Sequence, residues 1–200
     1  MEALLKPILL LFLVTYIGSV YLWRIYVIRR RTGMSPVMYG RTTSLHDVIG
    51  KLFALLIALS VGNIVVYVSS PAFYQHLLPF HWMETKALQI LGMLLAWASM
   101  FWTIGAQHQM GPSWRIGIDT KTKTSLITAG LFRVSRHPIY SGMIVTALGL
   151  FMVMPNLLSL LILAATMITI PIQARLEEEH LARVHGDRYL TYLKRTRRWL

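Results

Sequence analysis

The sequence contains no cysteine. That excludes disulfides, thiolate metal ligation and a cysteine nucleophile. Acidic residues are scarce, 8 against 20 lysines and arginines, and charged residues of both signs make up 14% of the chain against 55% hydrophobic ones. Soluble domains carry about 25% charged residues, so this shortage argues against an ordinary water-soluble fold. No Gly-x-Gly-x-x-Gly follows a strand-like run, which removes a doubly wound dinucleotide site. Metal-ligand spacings are missing too, and no metal is expected. Most telling is the stretch from Pro138 to Ala174, which holds no charged residue at all.

What the chain does hold is a series of uncharged runs: Pro7–Trp23, Leu52–Met83, Ala87–Trp114 and the run from Pro138 to Ala174. A membrane-spanning helix needs roughly 17–25 apolar residues, and each run can supply one or more. The first lacks the basic start and small-residue site of a cleavable signal. The expectation is an all-α integral membrane protein, a single membrane domain over residues 1–200. Five transmembrane helices are predicted at about 8–27, 52–69, 87–107, 138–154 and 157–174. Pro155-Asn156 is the turn of a tight hairpin between spans four and five, because proline cannot continue the helical ladder. Such a hairpin returns both charged ends to one membrane face.

The distribution of positive charge sets an orientation. Six lysines and arginines fall in Arg24–Lys51, five in Arg115–Arg136 and seven in Arg175–Arg198; Lys6 and Lys86 lie on the other side. Positive charge gathers on the cytosolic side, so the N-terminus is expected outside and the C-terminus in the cytosol. The basic excess then reads as orientation and anionic-lipid contact, not nucleic-acid binding. Residues 108–137 form a long polar connector with interleaved Trp114, Ile116, Leu126 and Phe132, a pattern that predicts a packed lid. The catalytic core is expected within residues 108–200.

Chemistry concentrates at the hairpin ends. Pro138 suits the first turn of span four, where a missing N–H costs nothing. The free N–H groups of that turn favour an anion, with Arg136 and His137 beside them as further donors. Glu177 and Glu178 leave span five at the same depth and can accept from hydroxyls or an ammonium. A ligand with a carboxylate, an ammonium group and ribose hydroxyls matches that set. The same residues also suit a plain helix anchor and solvated acids, and the two readings stay open on physics alone. Gly142, Thr146 and Gly149 form a small-residue stripe that predicts close helix packing. His180 and His185, five apart, have the wrong spacing for a metal pair on one helix face and are expected to be solvated.

Arg136-His137-Pro138-x-Tyr140-x-Gly142, an apolar hairpin and then Glu177-Glu178 resemble the isoprenylcysteine carboxyl methyltransferase family, whose wider relatives include phospholipid methyltransferases. Gly186-Asp187-Arg188-Tyr189-Leu190-Thr191-Tyr192 resembles the family's Gly-x-x-Tyr-x-x-Tyr ending, and Ser125–Phe132 resembles its approach to the motif. The resemblance covers residues 111–198. It implies methyl transfer from S-adenosyl-L-methionine to a lipophilic or lipid-tethered acceptor within a multi-pass membrane protein. That membrane would be the inner membrane of a bacterium or the endoplasmic reticulum of a eukaryote. The cofactor would lie in a cytosol-facing pocket made by Thr124, Ser125, Leu126, Ile127, Phe132, Arg136, His137, Pro138, Ile139, Tyr140, Glu177 and Glu178. Gln173 and Glu177 would hold the catalytic positions, with Gln173 and Arg175 toward the acceptor.

Two departures bear on that acceptor. The carboxyl methyltransferases carry an arginine one turn before the glutamate pair, where this chain has Gln173; Arg175 falls on another helical face. Phe132 stands where the family has tyrosine. A phospholipid N-methyltransferase is therefore an alternative. Membrane sterol reductases that use NADPH share a related motif, but they place Asn before the tyrosine and an acid after the glycine, where this chain has Ile139 and Met143. A non-catalytic membrane module is the third alternative.

Overall fold

The computed structural model describes residues 2–38, 45–117 and 124–199, and within them the chain is helical with no β-strand. One rod begins as α1 (Glu2–Tyr16), passes through a π-helical stretch (Ile17–Trp23) and continues as α2 (Arg24–Thr32). Gly33, in the left-handed region at φ +69°, ends the rod and donates its N–H to the carbonyl of Arg29. Then come α3 (Leu45–Ser69), α4 (Pro71–Gln75), α5 (Lys86–Met110), α6 (Leu131–Val134), α7 (Pro138–Val153), α8 (Leu157–His185) and α9 (Asp187–Arg195). Leu4–Thr32, Leu45–Ser69, Lys86–Ser113 and Leu157–His185 are long and apolar enough to cross a membrane. Outward-facing Leu11, Val14, Leu94, Phe101, Leu161 and Ile168 suit a hydrocarbon surrounding.

The expected fourth span is shorter than the others. With 16 residues, α7 rises about 24 Å, less than the roughly 30 Å of a hydrocarbon core. The hairpin turn therefore sits inside the fold, under a cover supplied by the segment between α4 and α5. Phe80 N–H donates to the Pro155 carbonyl at 2.7 Å, and Leu157 N–H to the Leu77 carbonyl at 3.0 Å. Asn156 caps α8 through a reciprocal exchange with Ser159 and donates its side-chain N–H to Asn63 of α3 at 3.0 Å. Backbone groups away from water must be satisfied within the protein, and this turn meets that demand by borrowing partners from two other elements.

The small-residue stripe packs as expected. A Cβ on Gly149 would lie 2.6 Å from the Gly92 carbonyl and 2.9 Å from Ala96 N; one on Gly142 would collide with the Thr103 hydroxyl. Between these points Ser99 and Thr146 share a hydroxyl–hydroxyl hydrogen bond of 2.7 Å, and Trp102 donates to the Pro138 carbonyl at 2.9 Å. Positions 92, 96, 99 and 103 of α5 thus zip against 149, 146 and 142 of α7, backbone close to backbone. This antiparallel pair fixes the height of the Arg136–Pro138 corner.

Two boundaries differ from the sequence reading. α3 starts at Leu45, ahead of the predicted 52, and its first turn buries Asp47. α8 continues to His185, well beyond 174, so Glu177 and Glu178 lie on the helix and not past its end. Charge marks where an apolar run stops, whereas the helix ends at Gly186, in the left-handed region at φ +54°.

Replacing Gly149 by Leu should destabilise the fold by about 1–3 kcal/mol or more through overpacking against Gly92 and Ala96. Gly62→Leu, at an open position on α3, should have little effect. Thermal unfolding in detergent reads the difference, and equal midpoints for the two variants would contradict the packing.

Candidate functional site

The chain enters the site through α6, turns at Ser135 and runs extended through His137 into α7. The C-terminal tail lies along this corner as a strap. Arg136 N–H donates to the Arg197 carbonyl at 2.9 Å, and the Ser135 hydroxyl to the Arg198 carbonyl at 2.9 Å. Beneath the strap sits Glu178, only 7% exposed. It accepts from Arg136 Nε at 3.0 Å, and from Arg198 Nε at 3.1 Å and Nη2 at 2.6 Å. His137 Nε2 lies 3.2 Å away. Arg136 also donates to the carbonyls of Leu193 and Thr196. Charge-assisted bonds of this kind are the strong ones, and here they tie α8, the α7 corner and the tail to one carboxylate. Arg198 is held more firmly protonated by its bond to Glu178. The His137 ring is stacked on Tyr140, 5.4 Å between centroids, with Trp199 at 5.9 Å.

Glu177 turns the other way. Its carboxylate lies 3.8 Å from His137 Nδ1, is partly exposed and faces an open cleft of about 840 Å³. One wall is the Thr124–Ile127 segment with Phe132; α8 supplies Glu177, His180, Leu181, Val184 and His185, and α9 supplies Tyr189 and Tyr192. The α8 residues recur at three- and four-residue intervals, so they line one face of that helix. Leu126 packs on the two tyrosines, and the Tyr192 hydroxyl donates to the Phe132 carbonyl. Burial pushes the Tyr192 hydroxyl up to about 12, with Arg136 opposing. The Tyr189 hydroxyl is buried at the cleft with no hydrogen-bond partner among the described residues, and burial, with Glu178 nearby, pushes its ionisation up as well.

Arg136 and Arg115 carry positive charge into the same cleft. Arg115 and Gly117 also line an adjoining cleft of about 580 Å³, whose walls include Ile139, Tyr140, Met143, Phe53 and Trp114. The 111–117 segment between them is fixed from below by Arg24, a buried cation at the end of α5. Its guanidinium donates to the carbonyls of Gln107 and Gly111 and lies 5.7 Å over the Trp114 ring. Donation from a cation to the last carbonyls satisfies the helix end.

This architecture has known counterparts. Residues 87–188, just over half of the chain, match the sequence model of a family described as phospholipid methyltransferase. The chain belongs to the phospholipid methyltransferase family. Its fold is similar to that of the eukaryotic intramembrane Ras methyltransferase, an isoprenylcysteine carboxyl methyltransferase, at a TM-score of 0.54 and 17% identity. The alignment covers 95% of this chain and 66% of that one, so this chain spans just under two thirds of its length. No curated protein matches the chain. The family match runs from α5 to the first residues of α9 and so takes in most of both clefts.

For this member of the family, the structure divides the predicted site residues into groups. Thr124, Ser125, Leu126, Ile127, Phe132, Arg136 and Glu177 converge on the larger cleft, while Ile139 and Tyr140 line the adjoining one. His137, Pro138 and Glu178 are buried behind the wall that separates them from the opening. Gln173 is 1% exposed and lies 3.2 Å, side-chain oxygen to ring nitrogen, from His46 of α3; Arg175 is exposed on the opposite side of α8. His180 and His185, expected in solvent, line the cleft instead. Together with Arg115, Leu181, Val184, and Tyr189 and Tyr192 of the tail motif, they are cleft residues absent from the predicted site. The spacing 177, 180, 184 was the available signal, once α8 is known to extend that far. Residues 118–123 of the expected lid lie outside the described residues.

Adjacent glutamates should therefore respond differently to removal. Glu178→Ala strands two arginines and should cost about 3–5 kcal/mol of stability, whereas Glu177→Ala should stay within about 0.5 kcal/mol. Thermal unfolding of the two purified variants checks this, and a Glu177 variant as unstable as the Glu178 variant would contradict the division of roles.

Proposed function

We propose that the protein is an S-adenosyl-L-methionine-dependent integral membrane methyltransferase, with the larger cleft as its cofactor site and a lipophilic or lipid-tethered acceptor. The observation that carries this reading is the donor set of the cleft. Arg136 suits a carboxylate, Glu177 suits an ammonium or a ribose hydroxyl, and the buried, unpartnered Tyr189 hydroxyl suits a further polar group of a ligand. Phe132, Leu126 and Ile127 add apolar surface for a flat base, beside the polar groups that would fix its orientation. When bound, S-adenosyl-L-methionine supplies a sulfonium-activated methyl group. The protein's share of the work is alignment and exclusion of water. Glu177 and the part of the Arg136 guanidinium not engaged by Glu178 and the tail carbonyls line the cleft for the ligand's polar groups, and the 111–117 segment lies between the two clefts. The adjoining cleft, lined by Ile139, Tyr140 and Met143, brings the acceptor from the membrane side.

A phospholipid amine is favoured over a carboxylate as the methyl acceptor. Gln173 stands where the carboxyl methyltransferases carry an arginine, and its partner is His46, so the side chain at that position brings no positive charge of its own to hold a carboxylate. The N-terminus faces outward and the site faces the cytosol, following the positive charge of the loops.

Two experiments test this. Calorimetric titration of the detergent-purified protein with S-adenosylhomocysteine should show micromolar binding. Glu177→Ala should abolish it, and Tyr189→Phe should weaken it by a few-fold to about tenfold, the worth of one hydrogen bond. Binding of NADPH in its place would overturn the methyltransferase reading. For orientation, the cysteine-free sequence allows single labels: an impermeant maleimide on intact cells should modify Gln75→Cys and spare Glu179→Cys. The reverse pattern would invert the topology.

A further inference from the structure

We infer that one hydrocarbon chain of the acceptor occupies a groove between α1, α3, α7 and α8, and that Ala147 and Ser60 set the chain length it admits. The groove adjoins the acceptor cleft. That cleft shares Tyr21, Phe53, Ile57 and Met143 with a second one of about 670 Å³. The second shares Ser60, Ala147, Leu150 and Ile162 with a terminal one of about 250 Å³. The terminal cleft ends against Asn63, Ser159 and Met154.

The chemistry changes along this path. At the head, Arg115 and Gly117 join it to the polar cleft. Its middle is walled by Phe12, Leu56, Val61 and Ile64, with few polar groups. Its far end is polar and internally bonded: Asn156 donates to Asn63, and Ser159 donates to the Met154 and Asn156 carbonyls. From Phe53 to Asn63 the path follows ten residue steps of α3, about 15 Å, or half the roughly 30 Å hydrocarbon thickness. A dry, apolar space between membrane helices takes hydrocarbon, not water. A chain whose head meets Arg115 cannot extend past the Asn63–Asn156 floor without burying methylenes against amide groups already bonded to each other. Ala147 of α7 and Ser60 of α3, both small, each line the middle cleft and the terminal one.

The occupant's identity as acceptor rests on the methyltransferase reading; the groove and its length limit do not. Native mass spectrometry of the purified protein, with lysophosphatidylethanolamines carrying octanoyl, dodecanoyl and hexadecanoyl chains, measures the length profile. S-adenosylhomocysteine is titrated in parallel. Ala147→Phe should lower affinity for the longer chains by about fourfold for each methylene displaced and leave octanoyl binding and S-adenosylhomocysteine binding unchanged. Ser60→Leu, from the facing helix, should shift the profile the same way and decides the matter if the first variant does not fold. An equal loss at every length, or no change in the profile, overturns the groove. A shifted profile in a protein that never binds S-adenosylhomocysteine keeps the groove and defeats the methyltransferase reading. Binding of S-adenosylhomocysteine without length discrimination does the opposite.

Discussion

The fold around the site depends on one buried carboxylate. Glu178 lies where α8, the corner before α7 and the C-terminal strap meet, and it gathers Arg136, His137 and Arg198. A lone carboxylate in that position would be costly to bury. Surrounded by donors, it joins three segments far apart in sequence. Arg136 extends the join, since the same guanidinium also holds the carbonyls of Leu193 and Thr196. The tail is thus part of the site's architecture, and the Arg-His-Pro segment serves first to hold the wall of the cleft.

That wall divides two environments. On one side is a polar cleft with charges of both signs and an unpartnered hydroxyl; on the other, an apolar cleft leads between the membrane helices. They meet at Arg115 and Gly117, on a segment held by Arg24 from below and by backbone bonds to Pro36 and Met38 at its side. In the proposed reaction, a water-soluble donor and a membrane-soluble acceptor would meet there without either crossing the other's medium. The close α5–α7 packing supports this arrangement. With Gly92 against Gly149 and Thr103 against Gly142, the corner that carries His137 and Tyr140 has little freedom to shift.

Much of this was legible in the sequence because the membrane imposes simple rules. Uncharged runs gave the helices, Pro155-Asn156 gave the turn, and the spacing of Gly142, Thr146 and Gly149 gave a packing face. The family resemblance grouped the Thr124–Ile127 segment, Phe132, Arg136 and Glu177, and these residues line one cleft. The reading was weaker where position around a helix mattered. Glu177 and Glu178 looked equivalent, yet successive helical residues point about 100° apart, so one faces the cleft and the other the interior. His46 carried no signal, because its link to Gln173 joins two helices 127 positions apart.

The sequence by itself determined the class of the protein: a helical membrane protein with a cationic hairpin mouth and acids returned to it. Hydropathy and charge suffice for that, since transfer into hydrocarbon is a property of each segment taken alone. Only the tertiary structure decided which charges are used up in holding the fold and which face the cleft. That distinction depends on what each side chain finds opposite it. For Glu178 the answer is two arginines and a histidine; for Glu177 it is one edge of the His137 ring and then the open cleft.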